Sequence, residues 1–326
     1  MTISMAAVGL LDFGVAHNGE SPRDIVDHTM EAARRADALG FGRYWLAEHQ
    51  TGACCWASPE LVLALIARET RRIRVGSGGV LFATHNALRV ANDFSLLAQL
   101  YPDRIDIGLA RGTPGENSLA LVEPLAYVPG SVDDFSRKLV ALISYLRAIP
   151  RPQHAYFRAR AFPVPTRLPE IWILGSGGTS GVFAAEYGLP FAQSMFHFPN
   201  ATLAALATYC RDFRPSAWSS EPRTMVAIAG VCAETRARAQ AIAAAQPNKA
   251  ITLNVVGTAD DWCDYVAEMV SISGVHEVMY FEASPLPEQR LRAYELLADA
   301  LAATSPRVSA TMGRPVDTVH SYSAPA

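Results

Sequence analysis

The sequence predicts an α/β protein, a (β/α)₈ barrel of the TIM type with a long insertion between its fourth and fifth strands. Three observations predict it. Short apolar runs alternate with longer segments of helical period, and the alternation can be followed through eight strands. The runs are continuously apolar rather than alternating, which means burial on both faces, as in a parallel sheet covered by helices. The rival, a doubly wound open sheet, calls for a glycine-rich turn after the first strand, and that turn is absent.

The elements follow in order. ISMAAVGLL, near residues 3–11, is the opening strand. A helix starts at Pro22, with Ser21 placed to cap it, and stops at Gly40. RYWLAE is the second strand, SPELVLALIARET repeats the Ser-Pro start, and IRVGSGGVL is the third strand. RVANDFSLLAQL supplies a helix and RIDIGLA the fourth strand. IWILG, FAQSMF, MVAIAGVC and EVMYFEA are the remaining strands. The helices GVFAAEYG, TLAALATYCRDF, ETRARAQAIAAA and DDWCDYVAEMVSI separate them, and EQRLRAYELLADALA closes the chain's periodic part.

Two stretches fall outside the repeat. Residues 112–168, rich in proline near PRPQHAYFRARAFPVPTRLP, form an excursion of the length expected for a lid. Residues 304–326 lack periodicity and read as a disordered tail. The expected organisation is a single domain over 1–303. The charges in RETRRIRVG read most simply as a solvated helix end.

Half of the 326 residues are hydrophobic and 18% are charged, ample for a sizeable core. The net charge of -3 argues against broad attraction to nucleic acid or anionic membrane. The N-terminal MTISMAAVGLLDFGVAH lacks a basic region, and Asp12 and His17 interrupt it, so it reads as a strand rather than an export signal. No apolar run approaches the ~20 residues of a membrane span. The expectation is a soluble, cytoplasmic chain. Its five cysteines are odd in number and contain no C-x-x-C pair, which suggests reduced thiols and no thiolate metal site. The adjacent Cys54 and Cys55 read as small buried hydrophobes, reactive only if exposed.

In a (β/α)₈ barrel, reacting groups sit at the C-terminal ends of strands. Glu48 and His49 close the second strand there, where an apolar run ends on two ionisable side chains. A loop histidine with an ordinary hydrogen bond is the alternative. Gly76-Ser77-Gly78-Gly79 ends the third strand and permits close backbone approach by a flat ligand. Arg111, at the end of the fourth, can hold a phosphate bidentately or form a surface ion pair. The strongest local signal is Leu174-Gly-Ser-Gly-Gly-Thr-Ser-Gly181 between the fifth strand and its helix. Hydroxyls and free N–H groups at a helix N-terminus make a phosphate cradle, and the reading is favoured over a plain connection. The loop is neither a Walker loop nor a G-x-G-x-x-G turn. His85 and His197 read as hydrogen-bonded structural groups that could alternatively enter the pocket. No H-E-x-x-H, carboxylate–histidine cluster or G-x-S-x-G suggests a metal site or a hydrolase.

The combination GFGRYWLAEHQ, TRRIRVGSGGVLF, LYPDRIDIGLARG and IWILGSGGTSGVFAAEYGLP resembles the bacterial luciferase-like flavin monooxygenases. The nearest group is the biosynthetic monooxygenases of that superfamily, which share the Phe-Arg-Pro-Ser stretch seen here at 213–216. The resemblance runs in order from about residue 3 to 303. It implies a barrel using reduced FMN and dioxygen, with the flavin supplied by a separate reductase, acting on a small organic substrate. His49 takes the position of a proton-transfer histidine beside Glu48, and Arg111 that of the phosphate-binding arginine. Ser176, Gly177, Thr179 and Ser180 take the phosphate loop. Gly78 and Gly79 take a strand-three turn that is a non-prolyl cis bond in relatives. Many relatives read Glu-His-His where Gln50 stands here, and His-x-Pro where His85-Asn86-Ala87 stands. A homodimer is common among them. Chemistry between reduced flavin and dioxygen is wasted on water unless the mouth is dry, a task for the 112–168 excursion with Tyr127, Tyr156, Phe157 and Phe162. The alternatives on this scaffold are a deazaflavin-dependent dehydrogenase and a flavin-binding protein without catalysis.

Overall fold

Ser21 begins α1 (Pro22–Leu39) by reciprocal capping: its hydroxyl accepts from the Asp24 N–H at 3.2 Å, and the Asp24 carboxylate accepts from the Ser21 N–H at 2.9 Å. Gly40, at φ 91°, ends the helix in the left-handed conformation that glycine reaches without a steric cost. This comes from a computed structural model that describes residues 3–16, 19–49, 55–111, 132–149, 159–246 and 251–304.

The strands are β1 (Val8–Asp12), β2 (Arg43–Leu46), β3 (Arg74–Leu81), β4 (Ile105–Ala110), β5 (Glu170–Gly175), β6 (Phe191–Ser194), β7 (Thr224–Cys232), β8 (Val255–Gly257) and β9 (Glu277–Glu282). All pair in parallel, in the order β6-β5-β4-β3-β2-β1-β9-β7-β8, and a further β6–β7 pairing closes the sheet into the predicted eight-stranded barrel. The short β8 is an addition that the sequence does not announce. It pairs with the upper end of β7, Gly230 to Cys232, beyond the last residue that β6 reaches. Between β3 and β4 the register shifts at Gly78 and Val80. The opening strand is shorter than expected, because Met5–Ala7 form a 3-10 turn before it.

The helices α2 (Pro59–Glu69), α3 (Ala87–Leu100), α4 (Val132–Leu146), α5 (Gly178–Tyr187), α6 (Thr202–Asp212), α7 (Arg236–Ala244), α8 (Ala259–Ser273) and α9 (Pro287–Thr304) cover the outside. One expectation needs correction here. The 112–168 stretch is not all excursion, since α4 lies within it and serves as the covering helix between β4 and β5. Phe135 of α4 packs against Phe82 and Phe183, with ring centroids 5.9 and 5.7 Å apart. Phe162 is 77% exposed rather than a pocket wall. Tyr127, Tyr156, Phe157, Cys54, Gln50, His17 and the 305–326 tail lie outside the described residues. Among the described residues no helix is long and apolar enough to cross a membrane.

Two apolar cores result. The larger lies between sheet and helices, with Leu10, Tyr44, Leu63 and Phe94 fully buried. The smaller fills the barrel with Leu11, Trp45, Trp172, Met225 and Met279. Each such side chain contributes roughly 1.5–3 kcal/mol by leaving water.

Below the inner core the barrel is floored by charge. Arg43 reaches Asp106 (2.6 Å), Glu170 (2.9 Å) and Glu277 (2.6 Å). Arg74 holds the other oxygen of Asp106 at 2.5 Å, and Arg223 binds Glu170 and, at 2.8 Å, Glu277. The indoles join in: Trp45 Nε1–H donates to Asp106 at 2.9 Å, and the guanidinium of Arg43 stacks 5.0 Å from the Trp172 ring. Arg74 belongs to the RETRRIRVG stretch read as a solvated helix end. It instead begins β3 at the N-terminal end of the barrel, where its side chain reaches Asp106 of β4 and Glu170 of β5 and joins this lattice.

Candidate active site

At the opposite end the strands run out around a cavity of about 560 Å³. Glu48, His49, Gly78, Gly79, Arg111, Ser176, Gly177 and Ser180 all line it, brought together from β2, β3, β4 and the β5–α5 loop. Thr179 is the exception. It stands exposed in the first turn of α5 and is not part of the lining.

Gly177 is the N-cap of α5, and no side chain caps the helix, so its first N–H groups are left for another acceptor. A Cβ on Gly177 or Gly178 would meet nothing within 4 Å, whereas one on Gly175 would lie 2.4 Å from Ser180 Cβ. The loop is thus tight at its base and open at its tip. From inside the sheet the Gln193 amide, fully buried, donates to the Ser176 carbonyl at 2.9 Å and fixes the turn. Arg111 sits with its guanidinium 5.8 Å from the Phe183 ring of α5, and it forms no ion pair with any described residue.

The Gly78–Gly79 bond is cis. A Cβ on Gly78 would lie 2.8 Å from Leu11 Cδ1, and one on Gly79 2.7 Å from the Gly108 carbonyl oxygen. Only glycines fit, so this part of the cavity wall is bare backbone.

Glu48 and His49 point to different tasks. The buried Glu48 carboxylate accepts from the Leu81 N–H at 2.9 Å and from His85 Nε2 at 2.8 Å. His85, which the cavity lining does not include, thereby gains a partner that raises its pKa above the ordinary histidine value. Glu48 ties the end of β2 to the end of β3. His49 keeps its ring for the cavity: Nδ1 lies 3.4 Å from the Ala47 carbonyl, and the ring packs 5.0 Å from Phe13. Burial lowers its pKa, outweighing the Ala47 carbonyl and Glu48, so the neutral imidazole prevails at neutral pH.

His197 also lines the cavity, hydrogen-bonded through Nδ1 to Ser194 Oγ at 2.8 Å. The sequence reading favoured a structural role for it. The signal was its place three residues past the end of β6, the same rim position that drew attention to His49. Among the described residues no group of three His, Cys, Asp or Glu side chains could hold a metal ion.

Residues 7–270 match the family described as luciferase-like monooxygenase. The chain belongs to that family. A luciferase-like monooxygenase of Escherichia coli K12 is 35% identical over 245 residues, covering 74% of this chain and 70% of its own. The crystal structure of apo-MsnO8 superposes with a TM-score of 0.81 at 31% identity, covering 92% of this chain and 99% of that one. A type II Baeyer-Villiger monooxygenase, the oxygenating constituent of 3,6-diketocamphane monooxygenase from Pseudomonas putida in complex with FMN, shares the fold at 17% identity. Its TM-score is 0.71, over 93% of this chain and 98% of that one. As a luciferase-like monooxygenase the protein is an enzyme of the monooxygenase class. The Phe213-Arg214-Pro215-Ser216 stretch lies away from its cavity and serves structure, with Ser216 Oγ donating to the Gly188 carbonyl at 2.8 Å at the far end of α5.

Proposed function

We propose that the enzyme takes reduced FMN from a separate, diffusible reductase and incorporates one atom of dioxygen into a small organic substrate, in specialised metabolism as the resemblance to the biosynthetic group suggests. One observation carries the reading: Arg111, the uncapped N-terminus of α5 and the neutral imidazole of His49 border a single cavity.

The residues fit the group. A terminal phosphate needs a cation and N–H donors, and Arg111 with the open tip of the 175–178 loop provides both. A flat ring system needs a wall without side chains, which Gly78 and Gly79 supply. When bound, reduced FMN supplies the electrons that activate dioxygen. Arg111, Ser176 and Ser180 would bind and orient its phosphate. His49, neutral at pH 7, would accept or return a proton at a ring nitrogen beside the reacting atoms. Phe13, Phe196, Met225 and Met279 would keep water from the site. Glu48 would act at one remove, holding the β2 and β3 ends in register through Leu81 and His85.

Anaerobic titration with reduced FMN, run beside reduced deazaflavin, followed by mixing with oxygenated buffer and a substrate panel, tests the reading. Saturable FMN binding and oxygen-dependent product formation are expected. Absence of reduced-FMN binding, or hydride transfer with the deazaflavin and no oxygen uptake, overturns it.

A further inference from the structure

The cofactor reading employs β3, β4, β5 and α5 and leaves the polar contacts of the substrate unassigned on the other side of the mouth. There, Phe13 after β1 stands 5.0 Å from the His49 ring and 6.3 Å from Phe196, and Phe196 stands 4.5 Å from His197. Four rings thus form an unbroken line from the end of β2 to the loop after β6. Both ends of that line are imidazoles, and all four rings face the same cavity.

His197 is not simply a polar residue that happens to stand there. Among the described residues, the Ser194 hydroxyl has one hydrogen-bond partner, the Nδ1 of His197 at 2.8 Å. A hydroxyl proton directed at Nδ1 makes that nitrogen the acceptor, and a neutral ring then carries its own proton on Nε2. Neutrality is favoured because desolvation beside Phe196 lowers the pKa of His197. The backbone is held as well, since the Phe196 carbonyl accepts from the Thr252 N–H at 3.0 Å. In that tautomer the exposed ring presents an oriented Nε2–H donor at the edge of an apolar wall, with no described residue to receive it.

Resting on the monooxygenase reading above, we propose that His197, oriented by Ser194, determines specificity by donating its Nε2–H to an uncharged acceptor oxygen on an otherwise apolar substrate lying along Phe13 and Phe196. The charge follows from the surroundings. Arg111 is the cation among the described lining residues and is committed to the phosphate, while both imidazoles are neutral. A neutral carbonyl or ester oxygen suits a neutral donor, and the rings supply the apolar contact area.

The test uses two probes of the same shape, cyclohexanone and methylenecyclohexane, the second lacking only the oxygen. Their affinities for the full chain are measured by ligand-observed NMR with and without FMN, and FMN affinity is titrated in parallel. His197→Phe should lower the ketone-to-hydrocarbon affinity ratio by about three- to tenfold relative to wild type, the value of one hydrogen bond from an uncharged donor, with hydrocarbon and FMN affinities within about twofold of wild type. His197→Gln, which keeps a donor, should recover part of the preference, and Ser194→Ala should fall between. A purely structural role would weaken both probes together. A ketone-to-hydrocarbon affinity ratio that His197→Phe leaves unchanged overturns the proposal. Loss of FMN binding with the ketone preference intact would instead sink the cofactor reading alone.

Discussion

At the N-terminal ends of the strands Arg43, Arg74 and Arg223 meet Asp106, Glu170 and Glu277, whereas at the C-terminal ends Arg111 meets no described carboxylate. Two carboxyls, the half-buried Glu170 and the buried Glu282, sharpen the contrast. Burial alone would raise Glu170, but Arg43, Arg223 and Arg74 together bring it down to about 2. Glu282, at the mouth end of β9, is satisfied among the described residues by neutral donors: Tyr280 and Ser284 hydroxyls at 2.8 and 2.6 Å, and the Cys232 and Ser284 N–H groups. Burial wins there and pushes it up to about 7. The lesson is that this barrel spends its arginine–carboxylate pairs on closing one end. An arginine at the other end that pairs with no described carboxylate is therefore the one to read as a ligand contact.

The largest effect is expected on the floor. Asp106→Ala removes the acceptor of the Trp45 indole and one carboxylate partner each from Arg43 and Arg74, and should cost about 3–5 kcal/mol of stability. Urea unfolding reads it, and a loss under 1 kcal/mol would break the distinction between the ends. Next, His49→Ala should lower turnover by about 10²–10⁴-fold while leaving FMN affinity and stability nearly unchanged. Because burial depresses the pKa of His49, wild-type turnover should hold at neutral pH and decline as acid protonates the ring below the ordinary histidine range. That acid limb should vanish in the variant.

The two carboxyls predict opposite pH dependences. Glu170, lowered, adds stability above its unfolded value near 4.5, and that stability is lost as pH falls toward 2. Glu282, raised, adds stability below about 4.5 that is lost as pH rises toward 7, by a total of about 3 kcal/mol. Melting curves of Glu170→Gln and Glu282→Gln against pH should each flatten one limb, and flattening of the same limb in both would refute the contrast. Arg111→Met should weaken FMN by about 10- to 100-fold, the worth of charge-assisted hydrogen bonds, without a change in melting temperature. The smallest effect belongs to Thr179→Ala, which should leave FMN affinity within about twofold because Thr179 is exposed and outside the cavity lining.

Barrel strands were readable because burial on both faces leaves a run of apolar residues that needs no partner to be recognised. The phosphate loop was readable for a similar reason, since Gly175, Ser176 and Gly177 are adjacent in the chain. What stayed hidden is non-local. Arg74 pairs with residues from β4 and β5, and nothing in RETRRIRVG distinguishes it from Arg71 and Arg72, which lie outside the barrel. His85 becomes meaningful only when Glu48 arrives from 37 residues away. The helix α4 was lost because the proline-rich stretch after it coloured the whole interval, although VDDFSRKLVALISYL has clear helical period.

The displaced register of β3 has a practical corollary. Up to Gly78 the even positions face the barrel interior, where Gly76 abuts Asp106 and Gly78 abuts Leu11. From Gly79 onward the odd ones do: Gly79 and Leu81 border the cavity, while Val80 packs outward with the helices. Anyone choosing sites for mutagenesis by counting every second residue from Arg74 would select Val80, disrupt the outer shell, and leave the substrate chamber untouched; the counting frame must be reset by one at the glycine pair.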